Sequence, residues 1–237
     1  MTVKNGNLII NGSGSYPGGC YEKISIRGEG TIVTDVECSA FKVYGTSEAS
    51  ENVKTGSVKV FGEAEVKRNM EAEDTLVMGT MIVGGNAQLK KIKILGLLEV
   101  GEGLTGDEAN IKGSISVNGD VEYETFESSG GFEIKGLLTA DTIKVGLRFG
   151  QSSAEEIGGG KITVKKKSNS LLPFGKEVGS LVAKVIEGDD IYLENTKADI
   201  VRGNKVKIGP GCHIGAVEYR GDFTQDPKAT IKTTIKI

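Results

Sequence analysis

Gly45-Thr46-Ser47-Glu48-Ala49-Ser50-Glu51-Asn52-Val53-Lys54-Thr55-Gly56-Ser57-Val58-Lys59-Val60-Phe61-Gly62 is one full period of the pattern that decides how this chain folds. Its two end glycines belong to a column, Gly28, Gly45, Gly62, Gly79, Gly96, Gly113 and Gly130, that recurs every seventeen residues through the first half. With Gly at 35 of 237 positions, seven hits in one phase would arise by chance on the order of once in a million. The column is a structural repeat, and it predicts an elongated scaffold instead of a pocketed domain.

Aligning the rows on these glycines exposes the core. The fourth position reads Ile32, Ala49, Val66, Val83, Val100, Val117, Ile134, and the eighth reads Val36, Val53, Met70, Ala87, Leu104, Val121, Leu138. The thirteenth (Phe41, Val58, Thr75, Ile92, Ala109, Phe126, Ile143) and the fifteenth (Val43, Val60, Val77, Ile94, Ile111, Ser128, Val145) stand two apart, the period of a strand with alternate side chains inside. Short strands broken by Gly, Asn and Asp at a period of seventeen describe an all-β fold, a single-stranded parallel β-helix in which each strand pairs with its counterpart one coil away. The glycines mark a corner, where a positive φ favours a residue with no Cβ. Asp35, Asn52, Asn69, Asn86 and Asp120 form the seventh column, set to hydrogen-bond along the stack as a ladder.

After Gly130 the glycine column stops, but inward triplets return as Ile157/Ile162/Val164, Ile186/Ile191/Leu193 and Val201/Val206/Ile208. The expectation is one β-helix domain over 1–237 of about a dozen coils, regular over 1–146 and irregular over 147–237, with an insertion at about 165–185. The segment Ala229–Ile237 alternates like a last strand.

Composition limits the chemistry. The chain holds one His, no Trp and 5% aromatics, a low base for His catalysis or stacking platforms. Twenty-nine basic and 32 acidic residues are mixed to a net charge of −3, which provides no basic stripe for nucleic acid. Cys20, Cys38 and Cys212 are odd in number and lack paired spacing, so they read as small hydrophobes, and no metal or cofactor site is expected. The N-terminal apolar run is too short for a signal or spanning segment, which makes the expected location cytoplasmic.

The stretches Gly-Asp-Asp-Ile-Tyr-Leu-Glu (188–194) and Val-Lys-Ile-Gly-Pro-Gly-Cys (206–212), following coils that close on Ile-Arg-Gly and Val-Phe-Gly, resemble the bactofilins, and more narrowly the long polymer-forming cytoskeletal proteins of Gram-positive bacteria. The resemblance implies a right-handed β-helix that stacks end to end into nonpolar filaments without nucleotide, serving as a scaffold for envelope, shape or motility proteins. It implies the chain itself, or a paralogous bactofilin, as the partner. Many bactofilins carry Pro-rich tails, whereas this chain has four prolines and repeats almost from its start.

The physics of an uncapped coil points the same way, because its backbone groups and apolar interior are a template for another chain. The expected polymer surfaces are Leu8, Ile10, Ile24 and Ile26 at the start and Ile231, Ile235 and Ile237 at the finish. Within the insertion, Lys165, Lys166 and Lys167 precede Leu171, Leu172 and Phe174, a basic run with an apolar tip that suits peripheral contact with an anionic membrane or with a partner. Val178, Leu181, Val182 and Val185 stand at helical spacing, so a short helix packed on the side is the competing reading. The functional alternatives are a β-helical adaptor that does not polymerise and, more remotely, a hexapeptide-type acyltransferase. The latter rests on Ile208-Gly209-Pro210-Gly211-Cys212-His213, against which stands a period of seventeen where hexapeptides make eighteen.

Overall fold

The computed structural model describes residues 6–148, 150–167 and 179–237. Every regular element among the described residues is a β-strand. The strands pair in parallel and stack as a β-solenoid with coils of about seventeen residues. Two compact units divide the chain, Met1–Gly119 and Asp120–Ile237.

Between Gly19 and Val100 each coil supplies one eight-residue strand and one four-residue strand, as in Val36–Val43 with Thr46–Ala49 and Val53–Val60 with Glu63–Val66, and in the next coil the long strand is split into Leu104–Thr105 and Glu108–Ile111. Val36 pairs with Val53, Val53 with Met70 and Met70 with Ala87, a shift of seventeen at every step. The pairing skips Ser39 and Gly56 in one coil step and Glu73 and Lys90 in another, so the long strand turns once in its middle and a coil has three short sides. All four apolar columns lie in the core, with Val43, Val60, Val77 and Ile94 fully buried. Two further inward columns escape sequence reading because small or polar residues fill part of them. Ser47, Ala64, Met81 and Leu98 form one, and Cys38, Thr55, Ala72 and Leu89 the other. Thr55 stays satisfied by donating its hydroxyl to the Ser57 carbonyl at 3.1 Å. Thr75 Oγ1, in the thirteenth column, is buried and has no hydrogen-bond partner among the described residues.

The corner glycines are required for a different reason from the one expected. Among the described residues only Gly19, Gly150, Gly211 and Asn195 have positive φ. At Gly45, Gly62, Gly79, Gly96 and Gly113 an added Cβ would instead collide with the carbonyl oxygen of the glycine one coil earlier. Coils a strand spacing apart, about 4.8 Å, leave no room there for a side chain. The Asn column forms the expected ladder: Asn52 N and Nδ2 donate to Asp35 Oδ1 at 3.0 and 2.9 Å, Asn69 N and Nδ2 to Asn52 Oδ1 at 3.1 and 3.2 Å, and Asn86 N to Asn69 Oδ1 at 2.8 Å. Each amide oxygen thereby satisfies a corner N–H that no strand pairs.

The second unit begins with a seventeen-residue step, Val121 to Leu138, and then departs from it. Ile143 pairs with Ile162, Ile162 with Ile191, Ile191 with Val206 and Val206 with Phe223, giving steps of nineteen, twenty-nine, fifteen and seventeen. The insertion is narrower than 165–185, since Lys165 and Lys166 end the strand Gln151–Lys166 and Ser180 opens the strand Ser180–Leu193. Leu181, Val182 and Val185 are therefore strand residues, not a helix. Leu181 and Ala183 are buried with half-buried Val182 between them, the alternation of a β-strand. Val178 lies outside the described residues. Glycines also mark a corner in this unit, but a different one: Gly159, Gly188 and Gly203 pair in succession, and a Cβ on Gly203 would meet the Gly188 carbonyl oxygen at 2.5 Å.

Candidate functional site

The final strand, Thr230–Lys236, pairs with His213–Tyr219 on one edge. Its other edge has no strand partner among the described residues. The register places Ile231 over buried Ile214 and Thr234 over buried Val217, so these two side chains form the rim above the end of the core. Thr234 is exposed and Ile231 half-buried. Ile235 and Ile237 are also exposed, at 42% and 56%, but Ile235 pairs with Glu218 and continues an outward row. The simple alternation of Ile231, Ile235 and Ile237 fails because the pairing skips Gly215 and Lys232, and that bend reverses which residues face inward.

The first described coil is unlike the last. Leu8–Ile10 pairs with Ile24–Ile26, and Ile10, Ile24 and Ile26 are all fully buried while Leu8 is half-buried. These three isoleucines are core residues and not open surface, so a charge at Ile10 would disrupt packing before it disturbed any contact between chains. The exposed apolar side chain of that strand is Ile9.

The basic run falls partly on the solenoid itself. Lys165 Nζ lies 5.5 Å from the centre of the Tyr192 ring, and Lys207 Nζ lies 5.4 Å from it. Tyr192 donates its hydroxyl to Glu194 Oε1 at 2.5 Å, and the backbone N–H of Lys166 donates to Glu194 Oε2 at 2.7 Å. The neighbouring Glu194 carboxylate holds the Tyr192 phenol in its protonated form, pushed up to about 12. Lys166 and Lys167 are exposed. Leu171, Leu172 and Phe174, the apolar tip, lie outside the described residues. No helix among the described residues is long and apolar enough to cross a membrane.

The residues that would serve an enzyme are placed as follows. His213 is exposed at the start of its strand, just after a turn in which Gly211 takes φ +75°. Cys38 and Cys212 are buried, and burial pushes both thiols up, away from the thiolate that nucleophilic chemistry needs. No group of three or more His, Cys, Asp or Glu side chains converges in metal-binding geometry among the described residues. A shallow groove of about 440 Å³ in the second unit is floored by Gly158, Gly159, Gly188 and Gly203. Its Arg202 is already engaged, Nε to Glu218 at 2.7 Å and Nη1 to Glu187 at 3.0 Å.

Sequence reading also misses a line of exposed apolar side chains on the first unit, Tyr44, Phe61, Met78 and Leu95. Each stands immediately before a corner glycine, a position whose column holds Arg27 and Lys112 at either end and so does not read as apolar.

The chain is 61% identical to the uncharacterized protein YhbE of Bacillus subtilis (strain 168) over 232 residues, covering 97% of this chain and 98% of YhbE. It is 54% identical to the uncharacterized protein YhbF of the same organism over 236 residues, covering 100% of this chain and 99% of YhbF. No family model and no solved structure matches the chain.

Proposed function

We propose that this chain, which belongs to the family of the Bacillus subtilis proteins YhbE and YhbF, is a non-enzymatic cytoplasmic scaffold that assembles end to end into nucleotide-independent filaments and positions other proteins along them. The observation that carries the reading is the last coil: among the described residues the strand Thr230–Lys236 is paired on one edge only, with Ile231 and Thr234 seated over the end of the core. An unpaired edge of seven residues offers backbone donors and acceptors to a further strand, and the side chains on the rim gain burial when one is added. The bactofilin resemblance of residues 188–194 and 206–212 supports the same reading.

Negative-stain microscopy of the purified protein without nucleotide tests it, with Thr234→Lys beside the wild type. The expected result is extended filaments for the wild type and folded, unassembled particles for Thr234→Lys, whose ammonium would sit over Val217 where the next coil must pack. Discrete short particles from the wild type at all concentrations would overturn the filament reading in favour of a non-polymerising adaptor.

A further inference from the structure

Tyr44, Phe61, Met78 and Leu95 occupy the same corner of four successive coils and are 49%, 41%, 49% and 37% exposed. Tyr44 and Phe61 stack with their rings 5.0 Å apart and 2° from parallel. Solvent also reaches Leu76, Ile82 and Leu97 beside them, so the ridge has an apolar middle about Met78. Among the described residues of the second unit the exposed large hydrophobic side chains are Leu137 and the terminal Ile235 and Ile237, with no comparable run. Apolar side chains gathered on successive coils mark an interaction surface more strongly than scattered ones do.

The charges beside the ridge are segregated by sign. Two residues before it stand Lys42, Lys59 and Lys93, whose strands place Lys42 directly against Lys59. None of these lysines forms an ion pair among the described residues. On the other side stand Glu63, two residues after Phe61, and Glu48, Glu65 and Glu99, with Glu48 directly against Glu65. Lys67 Nζ serves both of that pair, at 3.6 and 2.6 Å. Like charges directly opposite across strands destabilise a sheet. Another side of the same coils avoids this by alternating sign, with Lys54–Glu71 and Lys90–Glu73 at 2.7 Å and Lys91–Glu108 at 3.0 Å. Like-signed columns flanking an apolar ridge have the form of half an interface, an apolar centre within a charged rim.

We propose that this ridge is a lateral docking surface for a second copy of this chain, the two first units lying side by side and parallel about a two-fold axis along the coil stack. Symmetry selects that orientation. A two-fold axis parallel to the stack brings the lysine flank of each copy against the glutamate flank of the other, whereas an axis across the stack, which makes the copies antiparallel, sets lysines against lysines. The apolar ridges meet on the axis, Phe61 against Phe61 and Met78 against Met78. Four coils at about 4.8 Å give a ridge of only ~15–20 Å, short for a standard interface. One such contact is weak, and it gains strength when copies are already arrayed.

Covalent trapping captures a weak pair. In a Cys20→Ser background, Phe61→Cys and, separately, Met78→Cys are treated with a short bis-maleimide, and the fraction that does not pellet is analysed by mass. The result is then independent of whether filaments form. Expected is a covalent homodimer from each single variant and from a mixture of Lys59→Cys with Glu63→Cys chains, but not from Lys59→Cys alone. Reversing Lys42, Lys59 and Lys93 to Glu together lowers the Phe61→Cys yield at least about tenfold, a loss of ~1.4 kcal/mol. Dimer yields at Phe61 and Met78 no higher than at an exposed control on another side, Glu71→Cys, would overturn the docking surface. Self-crosslinking of Lys59→Cys would overturn the parallel orientation.

Discussion

The two units solve one problem by different means, and the difference separates what a solenoid must have from what it can vary. Both keep apolar columns inward and glycines where coils approach most closely. After a first step of sixteen residues, the first unit keeps a constant step of seventeen, so a glycine column can stack through it and an Asx ladder can run from Asp35 to Asn86. In the second the steps run from fifteen to twenty-nine residues. There a ladder has no constant register to follow, and the close approach moves to the corner of Gly159, Gly188 and Gly203. Inward burial is the requirement common to both, whereas period and corner chemistry belong to the regular stack.

The largest break in that comparison is a buried charge. Val77→Asp, at a fully buried site in the first unit, costs several kcal/mol and abolishes cooperative thermal unfolding in circular dichroism, because mid-stack no water or partner reaches the carboxylate. Next comes steric intrusion at a corner. Gly79→Ala and Gly188→Ala each force a Cβ into the carbonyl of the preceding coil, at a cost on the order of 2–4 kcal/mol. Gly158→Ala, whose nearest neighbour would be 3.8 Å away, shifts stability by no more than about 0.5 kcal/mol. Equal midpoints for Gly188→Ala and Gly158→Ala in urea would show that the second unit does not rely on close approach.

The ladder ranks third. Asn69→Ala removes the acceptor of the Asn86 N–H and the side-chain bond to Asn52, and loses about 1–2 kcal/mol in urea unfolding. The smallest effect has the opposite sign. Thr75→Val replaces the unsatisfied buried hydroxyl with the residue that its paired neighbour Val58 already carries, and stabilises by about 1 kcal/mol. A lower midpoint for Thr75→Val would mean that its hydroxyl has a partner after all.

How far the sequence reads depends on which residues lie inside. Columns carrying Val, Ile and Leu were legible at once, and the Asn ladder followed from one residue type at one spacing. The columns through Ser47, Thr55, Ala64 and Ala72 were not, because a narrow solenoid interior accepts small side chains that read as surface in a single row. The second glycine column was hidden by the insertion, which separates Gly159 from Gly188 by twenty-nine residues. At the ends the misreadings had separate causes. Ile10 is apolar in sequence whether it faces a partner or is already covered, and only its burial distinguishes the two. The bend at Gly215 and Lys232 moves Ile235 out of line with Ile231, and a period-two reading cannot see a corner inside a strand.

The central claim is that assembly proceeds by strand addition at the last coil. Amide hydrogen exchange of Thr230–Lys236, followed by mass spectrometry as protein concentration is raised without nucleotide, tests it most directly. The account predicts that the amides of this strand that do not already donate to the preceding coil, as Thr230 N–H does to the Cys212 carbonyl, exchange freely in the dispersed protein and become protected as assemblies form, with Thr234→Lys remaining unprotected at these positions throughout. Assemblies that form while the amides of this strand continue to exchange at the dispersed rate would contradict it.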